Sequence, residues 1–168
     1  MLALSPEHVR RTLTRLAYEV VERNRGASEL AIVGIRRRGV ALAEALAEEI
    51  SAVEGRALPV SALDTTPYRD DLEGNVPEEE SAMRGEIAGR DVLLVDDVLF
   101  TGRTARAALD ALTQHGRPRS VQLAILIDRG HREYPIRPDY VGRTLQTDSK
   151  ERVRVDPDSG FAVYVDGG

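Results

Sequence analysis

The sequence has no cysteine, and it has no run of about 18 apolar residues that could span a membrane as a helix. Without cysteine, disulfide bonds and thiolate metal sites are excluded, and a cytoplasmic location is the default expectation. The first eight residues also lack the basic region and the apolar core of a secretory signal. We therefore expect a protein that works in the cytoplasm and has no membrane partner.

Two common nucleotide-binding motifs are missing as well. Gly34 and Gly39 have the spacing of the two P-loop glycines, but Val40 and Ala41 follow where that loop needs a lysine and a hydroxyl residue. The chain also has no Gly-x-Gly-x-x-Gly sequence. A nucleoside triphosphatase or a dinucleotide enzyme is therefore not expected.

The composition that remains is typical of a globular protein. With 168 residues, of which 42% are hydrophobic and 30% are charged, the chain is expected to form a single domain over residues 1–168. The net charge of −5 is uneven, because residues 1–38 carry +4 and the other residues carry −9. A basic amino-terminal region permits a surface for nucleic acid or phosphate, although from charge alone a solvated helix face is the simpler interpretation.

Apolar runs alternate with segments of helical periodicity. Ser5 and Pro6 are typical of a helix start, and the first helix is expected to run to about Arg25 and to stop at Gly26. Further helices are predicted at 40–53 and from 105 to 112, and strands at 30–35, 58–63, 92–95, 121–127, 140–145, 152–155 and 161–165. This alternation predicts an α/β fold with a mostly parallel sheet, and the irregular stretch 64–90 is expected to be functional or mobile.

The segment 92–104 carries the clearest chemistry. A buried strand, Val92–Val95, is followed by Asp96 and Asp97, and a turn at 101–104 then leads into a helix. Ligands of open α/β sheets bind at the carboxyl ends of the strands, and a helix start offers N–H groups to a phosphate. Ionised carboxylates accept hydrogen bonds from neighbouring hydroxyl groups. The segment therefore predicts a site for a diol with a phosphate beside it.

The acidic pair, the short spacer and the Thr-Gly turn resemble the phosphoribosyl pyrophosphate (PRPP) motif of type I phosphoribosyltransferases. The resemblance implies a central mostly parallel sheet flanked by helices, with a flexible loop and a small hood of short strands. It implies that Asp96 and Asp97 hold the ribose hydroxyls and that the 5′-phosphate lies on the residues that follow, which are Val98, Leu99, Phe100, Thr101, Gly102, Arg103 and Thr104.

Two further groups of PRPP contacts follow from the same resemblance. The loop after the first long strand would hold the pyrophosphate on Arg37, Arg38 and Gly39. Arg69 would lie in the flexible loop and neutralise the pyrophosphate as it leaves, so that the catalytic residues are Asp96, Asp97 and Arg69. No metal ligand is expected from the protein, because PRPP itself would hold Mg²⁺.

Blocks at 11–17, 68–72, 95–104 and 128–137 resemble one branch of this superfamily, the PyrR proteins, which are pyrimidine operon attenuators that also act as uracil phosphoribosyltransferases. The implied reaction converts uracil and PRPP to UMP and pyrophosphate. Arg129 and the backbone near Val153 would face the uracil, and no general base stands out.

The same branch implies a second role. UMP or UTP would promote binding of a pyrimidine-gene mRNA leader to a basic surface on a homodimer or homotetramer, and the candidate residues are Arg15, Arg23, Arg25, Arg37, Arg137 and Arg143. Four residues depart from the family's usual pattern. Tyr18 stands where histidine is usual, and Arg37 stands where threonine is usual. Pro67 takes the place of an aliphatic residue, and Phe100 that of a tyrosine.

Two alternatives stay open at this point. One is an RNA-binding attenuator that uses the PRPP site mainly as a nucleotide sensor, and the other is a transferase for a purine base. A pure sensor would not need Arg69 in the flexible loop, so the sequence favours catalysis.

Overall fold

Over residues 1–74, 76–78 and 80–168, a computed structural model describes three α-helices and eight β-strands. The helices are α1 (Pro6–Asn24), α2 (Arg38–Glu54) and α3 (Arg103–Leu112), and the strands are β1 (Leu2–Leu4), β2 (Leu30–Ile35), β3 (Val60–Leu63), β4 (Asp91–Leu99), β5 (Ser120–Asp128), β6 (Tyr140–Thr144), β7 (Arg152–Asp156) and β8 (Ala162–Asp166). None of the helices in this described part of the chain combines the length and the apolar character that crossing a bilayer requires.

The main sheet has the strand order β3-β2-β4-β5-β6, and all neighbouring pairs are parallel. Leu93 and Val95 of the central strand β4 pack with α1 and α2, while Val92 and Leu94 pack with α3 on the opposite face. A continuous apolar run suits this position because both faces of the strand are covered by helices. The predicted parallel sheet flanked by helices is confirmed.

A second, smaller sheet has the antiparallel order β1-β8-β7. Its strands β7 and β8 correspond to two of the predicted short strands, and the third, β6, joins the edge of the main sheet instead. Strand β1 was not predicted, because it has three residues and its partner β8 lies at the other end of the chain. Local periodicity cannot reveal a strand that depends on so distant a partner.

Several element boundaries differ from the sequence-based expectation. Helix α1 begins after Ser5, whose hydroxyl accepts a hydrogen bond from the His8 N–H at 3.2 Å. It ends at Asn24, and the residue that caps it in the left-handed region is Arg25 (φ 53°) and not the glycine after it. Helix α2 begins at Arg38, two residues earlier than expected. Strand β4 continues past its predicted end to Leu99, because Asp96, Val98 and Leu99 keep the parallel register with β5.

A buried polar network fixes α1 against the sheet. The side chains of Asn24 and Gln122 exchange two hydrogen bonds of 3.1 and 2.7 Å, and the Tyr140 hydroxyl donates to the Gln122 oxygen at 2.6 Å. Gln122 is buried, so these contacts satisfy polar groups that water does not reach. The carboxyl end of α1 is thereby joined to both β5 and β6.

Candidate active site at the carboxyl edge of the sheet

The two adjacent carboxylates lie in the carboxyl-terminal half of β4. The Asp96 side chain accepts a hydrogen bond from the Asp97 N–H at 2.9 Å, and the Asp97 side chain accepts one from the Val98 N–H at 2.7 Å. Two neighbouring cavities open here, and Asp96 lines both, whereas Asp97 lines only the first. The pair therefore stands at the boundary between the two cavities.

Burial governs the electrostatics of this pair. It raises the pKa of Asp96 well above its usual range and raises the pKa of Asp97 as well. The charge of Asp97 adds to the increase in the pKa of Asp96, while Arg69 opposes it, and Arg38 likewise opposes the increase in the pKa of Asp97. The two carboxylates thus lack full compensation within the protein, which suits them to a ligand that supplies hydroxyl donors or positive charge.

The first cavity has a volume of about 360 Å³ and is lined by Arg36, Arg37 and Arg38 of the arginine loop, residues 36–39, while Gly39 is not among its lining residues. The peptide bond between Arg36 and Arg37 is cis. Gly39 packs against β4 so closely that a Cβ atom there would overlap the Val95 carbonyl oxygen and lie 3.2 Å from the Asp96 Cα atom. A residue without a side chain is therefore needed to bring the arginine loop to the carboxylates.

The second cavity has a volume of about 320 Å³ and is built around the phosphate turn, residues 101–104. Gly102 has φ 91° and precedes α3, and the Arg103 N–H donates to the Thr101 hydroxyl at 3.2 Å. The first N–H groups of a helix have no partner within the helix, so this turn presents donors where an anion can bind.

The structure brings most of the predicted PRPP contacts together. Arg37 and Arg38 line the first cavity, residues 98–104 line the second, and Arg69 lines both, as Asp96 does. Arg69 makes a paired contact with Asp71, with its Nε 2.9 Å from Oδ1 and its Nη2 2.7 Å from Oδ2. Two cation-lined spaces therefore meet at one carboxylate pair.

Neither residue predicted to face uracil lines these cavities, but Arg129 lies against Phe100, which lines the second one. Arg129 is only 6% exposed, its guanidinium lies 4.1 Å from the centre of the Phe100 ring, and its Nη2 donates to the Asp148 carbonyl at 2.9 Å. Its Nε is buried without a hydrogen-bond partner among the residues that the structure describes. The Val153 side chain belongs to the hydrophobic core.

The six arginines predicted to bind RNA lie in several parts of the fold. Arg15 donates to the Gly142 carbonyl at 2.6 Å and Arg23 pairs with Asp139 at 3.0 Å, so both lie where α1 meets β6, which also carries the exposed Arg143. Arg37 instead lines the first cavity. Of the remaining two arginines, Arg25 follows the end of α1 and Arg137 follows Ile136.

Sequence patterns missed several residues that the structure adds to the site. Residues 64–66 line the first cavity, and Asp70 and Tyr134 join the edge of the second through a hydrogen bond of 2.8 Å between their side chains. The two partners of that bond are 64 residues apart. Spacing along the chain gives no signal for such a contact, although both residues lie in blocks that carry the family resemblance.

Comparison with known proteins agrees with this geometry. The phosphoribosyl transferase domain family matches residues 6–158. Among solved structures, a hypoxanthine phosphoribosyltransferase from Staphylococcus aureus is similar with a TM-score of 0.71 and 21% identity, over 88% of this chain and 79% of that one. A hypoxanthine-guanine phosphoribosyltransferase from Bacillus anthracis has a TM-score of 0.72 and 16% identity, over 98% and 96% of the two chains. At these identities the likeness concerns the fold alone, which is that of a type I phosphoribosyltransferase.

The sequence relatives define the branch. The protein named Bifunctional protein PyrR from Alkaliphilus metalliredigens is 55% identical over 155 residues, which cover 90% of this chain and 85% of that protein. A protein of the same name from Halalkalibacterium halodurans is 51% identical over 157 residues, 90% of this chain and 87% of that one. The chain belongs to the PyrR family. The predicted superfamily and branch are both confirmed.

Proposed function

We propose that the protein is a uracil phosphoribosyltransferase that also regulates pyrimidine genes by binding their mRNA in response to uridine nucleotides. The observation that carries the catalytic part is the position of Asp96 and Asp97 between two cavities, each lined by groups that suit an anion. PRPP has two phosphate ends separated by a diol, and this arrangement matches that order. Membership of the PyrR family supports uracil as the acceptor and mRNA as the second partner.

In this proposal PRPP spans both cavities. Its 5′-phosphate lies on the phosphate turn, its ribose hydroxyls donate to Asp96 and Asp97, and its pyrophosphate lies on the arginine loop at Arg37, Arg38 and Gly39. Mg²⁺ arrives bound to the substrate. It prefers oxygen ligands, and phosphate oxygens and water molecules supply most of its coordination shell.

The protein's contribution to the reaction is electrostatic. Uracil N1 bonds to the anomeric carbon and gives up its proton to the departing pyrophosphate or to solvent, while the bond from that carbon to the pyrophosphate oxygen breaks and positive charge develops on the ribose. The two carboxylates stabilise that charge, and Arg38 and Arg69 neutralise the departing pyrophosphate. Fixed charges in a site from which water is excluded are worth more than the same charges in solution.

We place the uracil beside Phe100 and Arg129. The Phe100 ring, on which the Arg129 guanidinium lies, fixes the orientation of that group. The buried Arg129 Nε needs a hydrogen-bond acceptor, which a uracil carbonyl oxygen would supply. Backbone groups near Val153 would complete the recognition of the base. Burial lowers the pKa of Arg129, but an arginine still remains protonated at neutral pH.

A steady-state assay with PRPP, Mg²⁺ and a panel of bases tests the catalytic proposal. We expect turnover of uracil to exceed turnover of hypoxanthine and guanine by at least about a hundredfold, since a site built to hydrogen-bond one base leaves buried groups unpaired with another. Turnover of hypoxanthine alone would contradict the proposal, and UMP binding without turnover of any base would indicate a nucleotide sensor.

Binding of the pyrimidine-gene leader RNA tests the regulatory proposal. We expect a gel shift that requires UMP and weakens with salt, and Arg143→Ala should reduce the slope of log affinity against log salt by about 1. Arg56→Ala removes an equally exposed arginine near the end of α2, away from β6, and should leave the slope unchanged. Absence of a shift at low salt, or equal effects of the two substitutions, would count against RNA binding at α1 and β6.

A further inference from the structure

Asp70 joins three parts of the site that are distant in sequence. Its Oδ2 atom accepts a hydrogen bond from the Tyr134 hydroxyl at 2.8 Å and lies 2.9 Å from Nη1 of Arg103. Arg103 Nη1 also donates to the Tyr134 hydroxyl at 3.1 Å, and its guanidinium lies 4.9 Å from the centre of the Tyr134 ring. We call this three-residue contact the loop latch.

The latch connects the loop that carries Arg69 to the phosphate turn. Asp70 follows Arg69 directly, and Arg103 belongs to the phosphate turn itself. Tyr134 is held against the same turn, because its N–H donates to the Thr101 carbonyl at 3.0 Å. The position of Arg69 is therefore tied to the turn on which the 5′-phosphate is placed.

Both arginines at the second cavity are occupied by carboxylates of the protein. Arg69 pairs with Asp71, and Arg103 pairs with Asp70 and, at 3.3 Å, with Glu133. The hydrogen bond from Tyr134 and the charge of Arg103 lower the pKa of Asp70, so this carboxylate is ionised at neutral pH. An incoming phosphate would attract Arg103 and repel Asp70 at the same time.

We propose that Asp70 is a positioning residue that holds the Arg69 loop against the phosphate turn until a 5′-phosphate displaces it. This inference rests on the proposed placement of PRPP. Release of the latch frees the loop only after the 5′-phosphate is in place, so that Arg69, which already lines the first cavity, can exchange Asp71 for the pyrophosphate of a correctly seated substrate. PRPP with its 5′-phosphate is thereby distinguished from free pyrophosphate, which cannot release the loop.

Hydrogen exchange with ribose 5-phosphate tests the latch, because this compound has the 5′-phosphate and the diol but no pyrophosphate. In the unchanged protein we expect slower exchange at residues 101–104 and about twofold or greater acceleration at residues 69–74. Asp70→Asn should show the fast exchange at 69–74 before the ligand is added and no further response. Tyr134→Phe, which keeps the ion pair but lacks the hydroxyl group, should respond to an intermediate degree.

Affinity for ribose 5-phosphate supplies a second measurement. Because Asp70→Asn removes the carboxylate that competes for Arg103, it should bind the compound about fivefold more tightly in calorimetry. Glu73→Gln is the matched control, since it removes one negative charge from an exposed position in the same loop where the structure shows no hydrogen bond or ion pair to a described residue, and it should bind as the unchanged protein does.

The outcomes separate the latch from the proposed function. Protection of residues 101–104 without acceleration at 69–74, or weaker binding by Asp70→Asn, would overturn the latch and leave the placement of the 5′-phosphate intact. Failure of ribose 5-phosphate to protect 101–104 would overturn that placement and the latch with it.

Discussion

Replacing Asp97 with asparagine is expected to raise the melting temperature and to slow uracil turnover in the same variant. Burial raises the pKa of Asp97, so the folded protein binds this proton more tightly than the unfolded chain, whose value is about 3.9. Ionisation of the carboxyl therefore destabilises the folded state as the pH rises through the folded pKa. The amide retains an oxygen that accepts from the Val98 N–H and carries no charge that must be buried.

The expected magnitudes are large enough to measure. At pH 7.5 the unfolding free energy should rise, because the raised pKa of Asp97 means that burying its charge costs free energy, and each 1 kcal/mol gained raises the melting temperature of a protein of this size by about 2–4 °C. Since an amide binds a hydroxyl donor without the strength of a charge-assisted bond, kcat/KM should fall by about 10- to 100-fold. Thermal unfolding between pH 3 and pH 8 should show the stability gain at neutral pH and its disappearance below about pH 4.

Asp91→Asn is the matched control, because it changes a carboxylate at the opposite end of the same strand. Arg119 and Ser120 lower the pKa of Asp91 to about 2, so its charge stabilises the folded protein above the unfolded value and that stabilisation is lost as the pH falls toward 2. This variant should lose stability at neutral pH and keep its activity. A decrease in melting temperature for Asp97→Asn at pH 7.5 would show that its charge is compensated within the protein after all.

Gly39→Ala is expected to have an effect of similar size through packing. The added Cβ atom would overlap the Val95 carbonyl oxygen and lie 3.2 Å from the Asp96 carboxylate, and both belong to the central strand. The arginine loop must then move away from β4, which should destabilise the protein by about 1–3 kcal/mol and lower kcat/KM for PRPP by more than about tenfold. Thermal unfolding and steady-state kinetics measure the two effects.

Helix propensity makes this experiment sharper. Gly39 lies in the first turn of α2, where alanine is favoured over glycine by up to about 1 kcal/mol if no contact is disturbed. Gly167→Ala, at a position with no atom within 4 Å of the added carbon, should leave stability and activity unchanged. An increase in stability for Gly39→Ala would mean that the close approach to β4 does not constrain the loop.

The parts of the fold that the sequence predicted depend on local pattern. The apolar run 30–35 became β2 with the predicted bounds, because a strand covered on both faces must be apolar throughout. The predicted end of β4 at Val95 was wrong, because Asp96 continues the register of the strand by pairing with Ile125. No pattern within residues 92–99 encodes that pairing. The hood strand β1 was missed for the same kind of reason, since it exists only through its pairing with β8.

The site divides in the same way. Asp96, Asp97 and the phosphate turn lie close together in the sequence, so their chemistry can be inferred from neighbouring residues. The loop latch combines Asp70, Arg103 and Tyr134, which meet only after β4 and the segment beyond β5 have been placed. The family resemblance covered the sequence segments that contain these residues. The contacts between the residues could be identified only from the folded structure.

The buried network of Asn24, Gln122 and Tyr140 has a consequence for the outer face of α1. The helix cannot rotate about its own axis without breaking these hydrogen bonds, so the same face of α1 is turned to solvent before any partner arrives. Arg23 is held further by its ion pair with Asp139 and by its contact with the Tyr140 ring. A rigid polyanion that docks on this face therefore meets an Arg23 side chain that is already held in place, so that ordering this side chain costs less conformational entropy on binding.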